Sequence, residues 1–514
     1  MPKFITPRKK TLAKGLYDFM AAGLSISLAF LLRIALDSYL GINSAIPIEQ
    51  KFSSFSLPYV LSFAGIMVGC LAAFGFYSAG LKQFRQDSPL YPLLAVSCGP
   101  VAWSLIMYYA VSAPSFPRGV SLIAWGLVLV FIAAPRILKY YFQREWVMQF
   151  SSHSRVKVRN VLIIGGAGYI GSQLVDDLLE RGYRVRVLDS LLFGDFPLEE
   201  FKANDRFELM QGDFRNVQTV ATALREMDAV VHLGGIVGDP ACALDDDFTI
   251  DVNLSATIML AELCKVFKIN RFIFASTCSV YGKSESGEQL TEESPLNPVS
   301  LYARTKIAAE KILKELSNPG FSPTILRFAT LFGLSRRPRF DLIVNLLSAK
   351  ALQDKKITVF GGEQWRPFVH TRDVSQSICA ILEAPLEKVG NQVFNVGSSS
   401  ENYKIIDVAK IIHSKVPEAE LLVDDKIDDP RDYNVSFEKL QTTLKLQPFV
   451  SVAQGVQEIQ DAIIRGEIKD YRETRYSNLV QTKMLLSETE NNTSSSTVPL
   501  RQTAKSILNE VRHH

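Results

Sequence analysis

The sequence predicts an α/β protein: a doubly wound parallel sheet with a smaller carboxy-terminal lobe, preceded by a four-helix transmembrane region. Three observations predict it. The first ~145 residues carry four long apolar runs almost free of charge. From Val158 onward, short β-rich runs alternate with helical stretches, the pattern of a parallel sheet covered on both faces. Between the first such run and the helix after it lies a glycine turn, Gly165-Gly-Ala-Gly-Tyr-Ile-Gly171.

The membrane region comes first in the chain. Phe19 to Leu36 is apolar apart from Arg33, and no charged residue occurs in Phe52–Leu81, Ser88–Pro117 or Gly119–Pro135. Spanning helices need ~20 residues, and a soluble helix is rarely apolar on every face over such a length. Spans are expected near 17–36, 57–79, 90–112 and 119–136, within a region covering 1–150. A mean hydropathy of +0.11 points the same way. Basic residues set the orientation. Lys3, Arg8, Lys9, Lys10 and Lys14 precede the first span, Lys82 and Arg85 follow the second, and Arg136, Lys139 and Arg144 follow the fourth. The other two loops hold only Lys51 and Arg118. A multi-pass membrane protein is expected, in contact with lipid, with its amino terminus and following domain cytoplasmic. Arg33 is expected to snorkel to the interface.

The soluble elements follow in order. Val158–Ile164, Val185–Leu188, Ala229–Leu233, Phe272–Ala275 and Ile325–Phe328 read as strands, and Ser172–Glu180 as the first helix. Shorter elements from about Leu342, including Ile357–Phe360, Val393–Val396 and a helix near Ile405–Ser414, suit a lobe that closes over a substrate. This domain is expected over 156–465. The remainder, 466–514, reads as a polar, partly disordered tail with a flexible linker at Asn491–Thr497 and a last helix-like piece, Leu500–Val511. A net charge of +3 gives no case for nucleic-acid binding. The six cysteines form no Cys-x-x-Cys pair and no Cys/His cluster, so no metal site is expected and the thiols are read as reduced.

The glycine turn is informative because of where it stands. Gly165, Gly168 and Gly171 follow a strand and open a helix, the setting of a Rossmann-type dinucleotide site. The helix amino terminus there offers free N–H groups and partial positive charge to a pyrophosphate. Tyr169 and Ile170 belong to the same turn. Asp189 ends the second strand, where a carboxylate binds both ribose hydroxyls and repels a 2′-phosphate. NAD is therefore expected over NADP, with Arg184 and Arg186 nearby as the opposing signal. Asp213, in Gly-Asp-Phe-Arg, is placed to accept from the adenine amino group, or else is a turn residue.

Tyr302 and Lys306 are four apart, so on a helix they share one face. A free phenol has a pKa near 10 and is a poor base. A neighbouring ammonium and an oxidised nicotinamide favour its phenolate, which brings proton abstraction from an alcohol within reach.

These motifs in order, GGAGYIGS (165–172), VLDS (187–190), QGDFRN (211–216), VVHLGG (230–235), DVNLSAT (251–257), ASTCSVYG (275–282), YARTK (302–306), LRFATLFG (326–333) and WRPFVHTRDV (365–374), resemble the extended short-chain dehydrogenase/reductases, in particular the nucleotide-sugar epimerases and dehydratases. The resemblance implies that Thr277, Tyr302 and Lys306 are catalytic. It places Leu233, Gly234, Gly235 and Asn253 beside the cofactor. Thr330, Asn345, Arg366 and Arg431 fall on the substrate side with Thr277, the two arginines gripping a nucleotide diphosphate. It also implies a homodimer through helices that include the segment after Tyr302. The membrane region, with Tyr17-Asp-Phe-Met20, Leu28–Arg33 and Phe116-Pro-Arg-Gly119, is similar to the anchors of membrane-bound polysaccharide-biosynthesis sugar dehydratases.

The implied reaction begins with oxidation to a 4-keto sugar. Dehydratases of the family carry Asp-Glu or Ser-Glu in the two places after the catalytic Thr, and its decarboxylases tend to carry a glutamate at the second; Cys278 and Ser279 stand there here. Epimerisation of a nucleotide sugar is the first expectation. Dehydration, keto-sugar reduction, a lipid-carried substrate or a catalytically silent scaffold are the alternatives.

Overall fold

The computed structural model describes residues 7–40, 57–74, 76–77, 90–110, 118–138, 158–283, 289–424, 431–446, 449–489 and 498–511. The chain divides into two compact units, Met1–Phe150 and Ser151–His514.

The first unit contains α1 (Pro7–Tyr39), α2 (Leu57–Ala73), α3 (Leu90–Ala110) and α4 (Arg118–Val128), which runs on through a π turn at Leu129–Ala133. Among the described residues, three helices are long and apolar enough to cross a membrane: Lys14–Tyr39, Pro92–Tyr109 and Gly119–Leu138. Four were expected. The second run forms a helix over Leu57–Ala73, 17 residues; the far end of that expected span lies outside the described residues, as do Lys3, Lys51, Lys82, Arg85, Lys139 and Arg144. Ala22, Ala29, Phe63, Ala64, Met67, Trp103 and Ala124 are buried between the helices, while Leu24, Leu31, Leu61, Leu94, Leu105 and Leu122 point outward. Alanines at the contact allow close helix approach. The buried Asp18 is paired with Arg136 Nη2 at 2.6 and 2.7 Å and accepts a 2.6 Å bond from the Tyr77 hydroxyl. Arg33 forms a 3.0 Å ion pair with Asp37, one turn on.

In the second unit, β1 (Asn160–Ile164), β2 (Arg184–Asp189), β3 (Phe207–Gln211), β4 (Ala229–His232), β5 (Arg271–Thr277), β6 (Ser322–Phe328) and β10 (Val393–Val396) form a seven-stranded sheet in the order β10-β6-β5-β4-β1-β2-β3. All its pairs are parallel. β5 and β6 are buried along their whole length, as strands covered on both faces must be. One face is covered by α5 (Tyr169–Glu180) and, beyond the helices α6 (Ala256–Val266) and α7 (Leu301–Leu316) of the other face, by α8 (Thr371–Glu383). Leu174, Val175, Val374 and Ile378 pack on the first face, and Met259, Leu260, Ala308 and Leu313 on the second. The winding reverses between β1 and β4, which opens a crevice at their carboxyl ends.

The smaller lobe joins β7 (Thr330–Phe332), β9 (Trp365–His370) and β11 (Asn402–Lys404) in one sheet, and β8 (Lys356–Phe360) with β12 (Glu420–Asp424) in another. Within the segment read as a polar, partly disordered tail lie α9 (Asn478–Thr489) and α10 (Val498–Val511), the second where a helix-like piece was expected. Ala504 and Leu508, one turn apart, are buried in the cluster that holds Ala308 and Leu313. Arg501 Nε donates to Asp251 at 2.8 Å and Lys505 pairs with Asp247 at 2.6 Å. The overall polarity of the segment hid one apolar helix face. The linker Asn491–Thr497 lies outside the described residues.

Candidate active site

A cavity of about 800 Å³ lies in the second unit, bounded by the glycine turn, the ends of β2, β4 and β5, α7 and the smaller lobe. The turn leaves β1 at Gly165 with φ of +83°, a conformation that favours glycine. A Cβ on Gly171 would stand 2.4 Å from the Gly165 carbonyl oxygen, so only glycine fits where α5 closes on the turn. Gly165, Gly168, Tyr169, Ile170 and Gly171 all line the cavity, as do Leu233, Gly234 and Gly235. The Tyr169 hydroxyl donates to the Gly333 carbonyl at 2.6 Å and ties the turn to the smaller lobe.

Asp189 lines the cavity at the end of β2. Its carboxylate accepts from Ala167 N at 2.9 Å and Leu191 N at 2.8 Å. Burial pushes its pKa up, while those bonds and the charge of Arg337 pull it down. Asp213 also lines the cavity, gripped by Arg215 at 2.6 Å. Arg186 turns away to Glu208 at 2.7 Å, and neither it nor Arg184 borders the cavity.

Thr277, Tyr302 and Lys306 meet at one wall. Ser300 caps α7, its side chain accepting from Ala303 N, so Tyr302 begins the helix and Lys306 stands one turn below. The Thr277 side chain accepts from Ser279 N at 3.1 Å and donates to Ser279 Oγ at 3.1 Å, and it stands near enough to Tyr302 to favour the phenolate. Lys306 Nζ donates to the Ala275 carbonyl at 2.8 Å and lies 5.9 Å from the centre of the Tyr302 ring. Burial lowers its pKa to about 8. Burial raises that of Tyr302, with the charge of Asp239 adding to the rise. Arg339 and Thr277 oppose it. Besides Lys306, the expected cation beside the phenol, the charge of Arg339 also favours the phenolate.

On the substrate side, Thr330, Arg366 and Arg431 line the cavity. Arg366 Nη1 donates to the Trp365 carbonyl at 2.7 Å and to the Arg431 carbonyl, and its guanidinium lies 5.0 Å from the Tyr433 ring centre. Arg431 pairs with Asp239 at 3.3 Å. Two expected contact residues do not border the cavity. Asn253 is 1% exposed; its amide bonds both backbone groups of Ile236, at 2.8 and 2.9 Å. Asn345 is fully buried and bonds both backbone groups of Gly333, at 2.9 and 3.0 Å, as well as the Arg339 carbonyl at 2.9 Å. An amide serves both as donor and acceptor, so each braces a cavity-lining loop from behind. Cys278 is buried with its thiol on the Arg327 carbonyl at 3.3 Å, and burial raises its pKa. It packs; Ser279 faces the cavity.

Sequence reasoning missed Asp239, Arg337, Arg339, Asp341, Tyr433 and the residues Ser477, Asn478, Leu479, Thr482 and Leu485, all of which line the cavity. The one signal was the density of arginine in Ser335-Arg-Arg-Pro-Arg339. The tail carried none.

The cavity fits a dinucleotide. A glycine-rich turn, the amino terminus of a helix, the Asp189 carboxylate and the Thr277, Tyr302 and Lys306 set all line it, the groups that a dinucleotide site calls for. The sequence profile of the NAD dependent epimerase/dehydratase family matches residues 161–397. An uncharacterized UDP-glucose epimerase, YtcB, of Bacillus subtilis is 30% identical over 309 residues, spanning 58% of this chain and 95% of that protein.

The chain belongs to the NAD dependent epimerase/dehydratase family.

A UDP-glucose 4-epimerase of Lactobacillus helveticus is likewise 30% identical, over 49% of this chain and 80% of its own. Among solved structures, UDP-glucuronic acid 4-epimerase from Bacillus cereus, in complex with UDP-glucuronic acid and NAD, superposes with a TM-score of 0.53 at 28% identity, covering 60% of this chain and 99% of that one. Membership of this family makes the chain an NAD-dependent enzyme, and its sheet is the Rossmann-type sheet of those epimerases.

Proposed function

We propose that this family member is a membrane-anchored nucleotide-sugar epimerase that works through a transient 4-keto sugar in cell-surface polysaccharide biosynthesis. The observation that carries the reading is the convergence of Thr277, Tyr302 and Lys306 on a cavity where Cys278 is turned away and Ser279 is the only group at the two places where elimination would need an acid and a base. The names of the relatives favour a UDP-sugar as substrate.

In this reading Tyr302 accepts the proton of a sugar hydroxyl, directly or through Thr277, which orients it. Arg339 stabilises the phenolate by charge, and Lys306 holds the cofactor ribose. Arg366 and Arg431 grip the diphosphate in planar, paired contacts, with Thr330 beside the sugar. NAD, when bound, supplies the hydride acceptor. The anchor holds the domain at the cytoplasmic face, beside enzymes that use the product.

Asp239 favours a second reading. Its carboxylate lines the cavity and its charge acts on Tyr302, so it is placed for the acid–base work of a dehydratase. One experiment separates the two: incubating the purified full-length chain with UDP-, dTDP- and GDP-sugars and resolving products by NMR. Inversion at one carbon supports epimerisation. Loss of water, abolished by Asp239→Asn, overturns it in favour of dehydration.

A further inference from the structure

Arg337 is 1% exposed and lines the cavity. Its guanidinium carbon lies 3.5 Å from the centre of the Phe193 ring. Its Nε has no acceptor, and Nη2 reaches the Arg475 carbonyl at 3.4 Å. Among the described residues no carboxylate forms an ion pair with it, whereas its neighbour Arg339 is paired with Asp341 at 2.8 Å. Burial, reinforced by the charge of Arg339, lowers its pKa to about 9. The charges of Asp341 and Asp189 favour the cation, but neither carboxylate is in direct contact with it, and a buried cation without a direct ion pair is unfavourable, so this point of the cavity suits an anion. Asn478, at the start of α9, is a second unsatisfied polar group, an acceptor that suits a hydroxyl or amino donor of the same dinucleotide. It is 7% exposed, lines the cavity, and its Oδ1 has no partner. Its backbone N donates to Asp341 at 3.3 Å, which fixes it beside the two arginines. The glycine turn and the opening of α5 line the same cavity, and backbone N–H groups there favour phosphate.

We propose that Arg337 and Asn478 are cofactor-binding residues, the guanidinium neutralising the diphosphate of the bound dinucleotide while the segment 475–485 closes the cavity over it. The carboxy-terminal tail is thereby a working part of the dinucleotide site. A diphosphate is preferred over a 2′-phosphate because the Asp189 carboxylate already occupies the ribose edge and repels a second anion there. The inference rests on the cavity being the NAD site and is independent of which sugar reaction follows.

The test is calorimetric binding to the full-length chain in detergent micelles, with NAD, ADP, adenosine and NADP as probes. Arg337→Ala should weaken NAD and ADP by about 10-fold or more, the loss of a charge-assisted hydrogen bond, and leave adenosine unchanged. Arg337→Lys should recover part of the loss, and Asn478→Ala should weaken NAD by about 3-fold or more. Equal weakening of adenosine would mean that the arginine only packs, and loss confined to NADP would move it to the 2′ position; either result overturns the proposal, as does an unchanged NAD affinity. If Arg337→Ala fails to fold by circular dichroism, the comparison of Arg337→Lys with Arg337→Gln decides, a charge-dependent difference being required. Failure of the native chain to bind NAD would bring down the cofactor site itself, an outcome distinct from native binding that the variants leave untouched.

Discussion

Tyr302 sits where burial opposes its charged form, and its surroundings decide how far that opposition is met. Arg339 and Thr277 pull its pKa down, while burial and Asp239 push it up. If the phenol is the base, Tyr302→Phe should abolish turnover, by 10²-fold or more in order of magnitude, yet leave NAD affinity nearly unchanged. Loss of NAD binding along with activity would show that the ring is structural. His232 offers a separate test. It ends β4, 1% exposed, with Nε2 3.0 Å from Thr257 Oγ1. Burial, and secondarily the charge of Lys306, depress its pKa to about 3. The unfolded imidazole titrates near 6.5. Between those values the unfolded chain binds the extra proton, so His232 contributes stability above pH 6.5 that is lost as the pH falls toward 3. His232→Asn should flatten that window relative to the native chain, by on the order of 4 kcal/mol across its full width. Parallel unfolding curves for the two proteins would remove the imidazole as the cause.

At the scale of elements, the glycine turn and α7 were legible because each is local: the Gly-x-x-Gly-x-x-Gly spacing and the four-residue step from Tyr302 to Lys306 are set by backbone geometry within one turn. Gly171→Ala should clash with the Gly165 carbonyl and cost NAD affinity while sparing the membrane unit, measurable by nucleotide content after purification. α10 was legible only as a helix. Its docking is a matter of partners, with Leu508 buried and Arg501 and Lys505 reaching Asp251 and Asp247. Leu508→Ala should loosen that docking by about 2 kcal/mol, seen as faster amide exchange across 498–511. Unchanged exchange would show that the helix is held elsewhere.

For the molecule as a whole, two compact units share one chain. The first buries its alanines and aromatics inward and presents leucines outward, the pattern of a bundle in lipid. The full-length chain should therefore pellet with membranes and resist carbonate extraction, and the chain lacking 1–150 should be soluble and retain NAD binding. An insoluble or cofactor-free fragment would count against independent units. The homodimer implied by resemblance would use α7, against which α10 of the same chain already packs, so light scattering on the native chain is the direct check.

The sequence by itself determined the fold class, the place of the cofactor turn and the Thr277, Tyr302 and Lys306 set, because periodicity and short spacings are properties of neighbouring residues. Only the tertiary structure decided that Asn253 and Asn345 brace loops from behind the cavity, that Arg337 and Arg339 line it, and that the tail completes the wall. Those placements bring together residues far apart in the chain, 176 positions in the Asn345–Tyr169 contact, and no local pattern encodes such a meeting. It follows from how buried apolar faces pack, which settles where each polar group ends up.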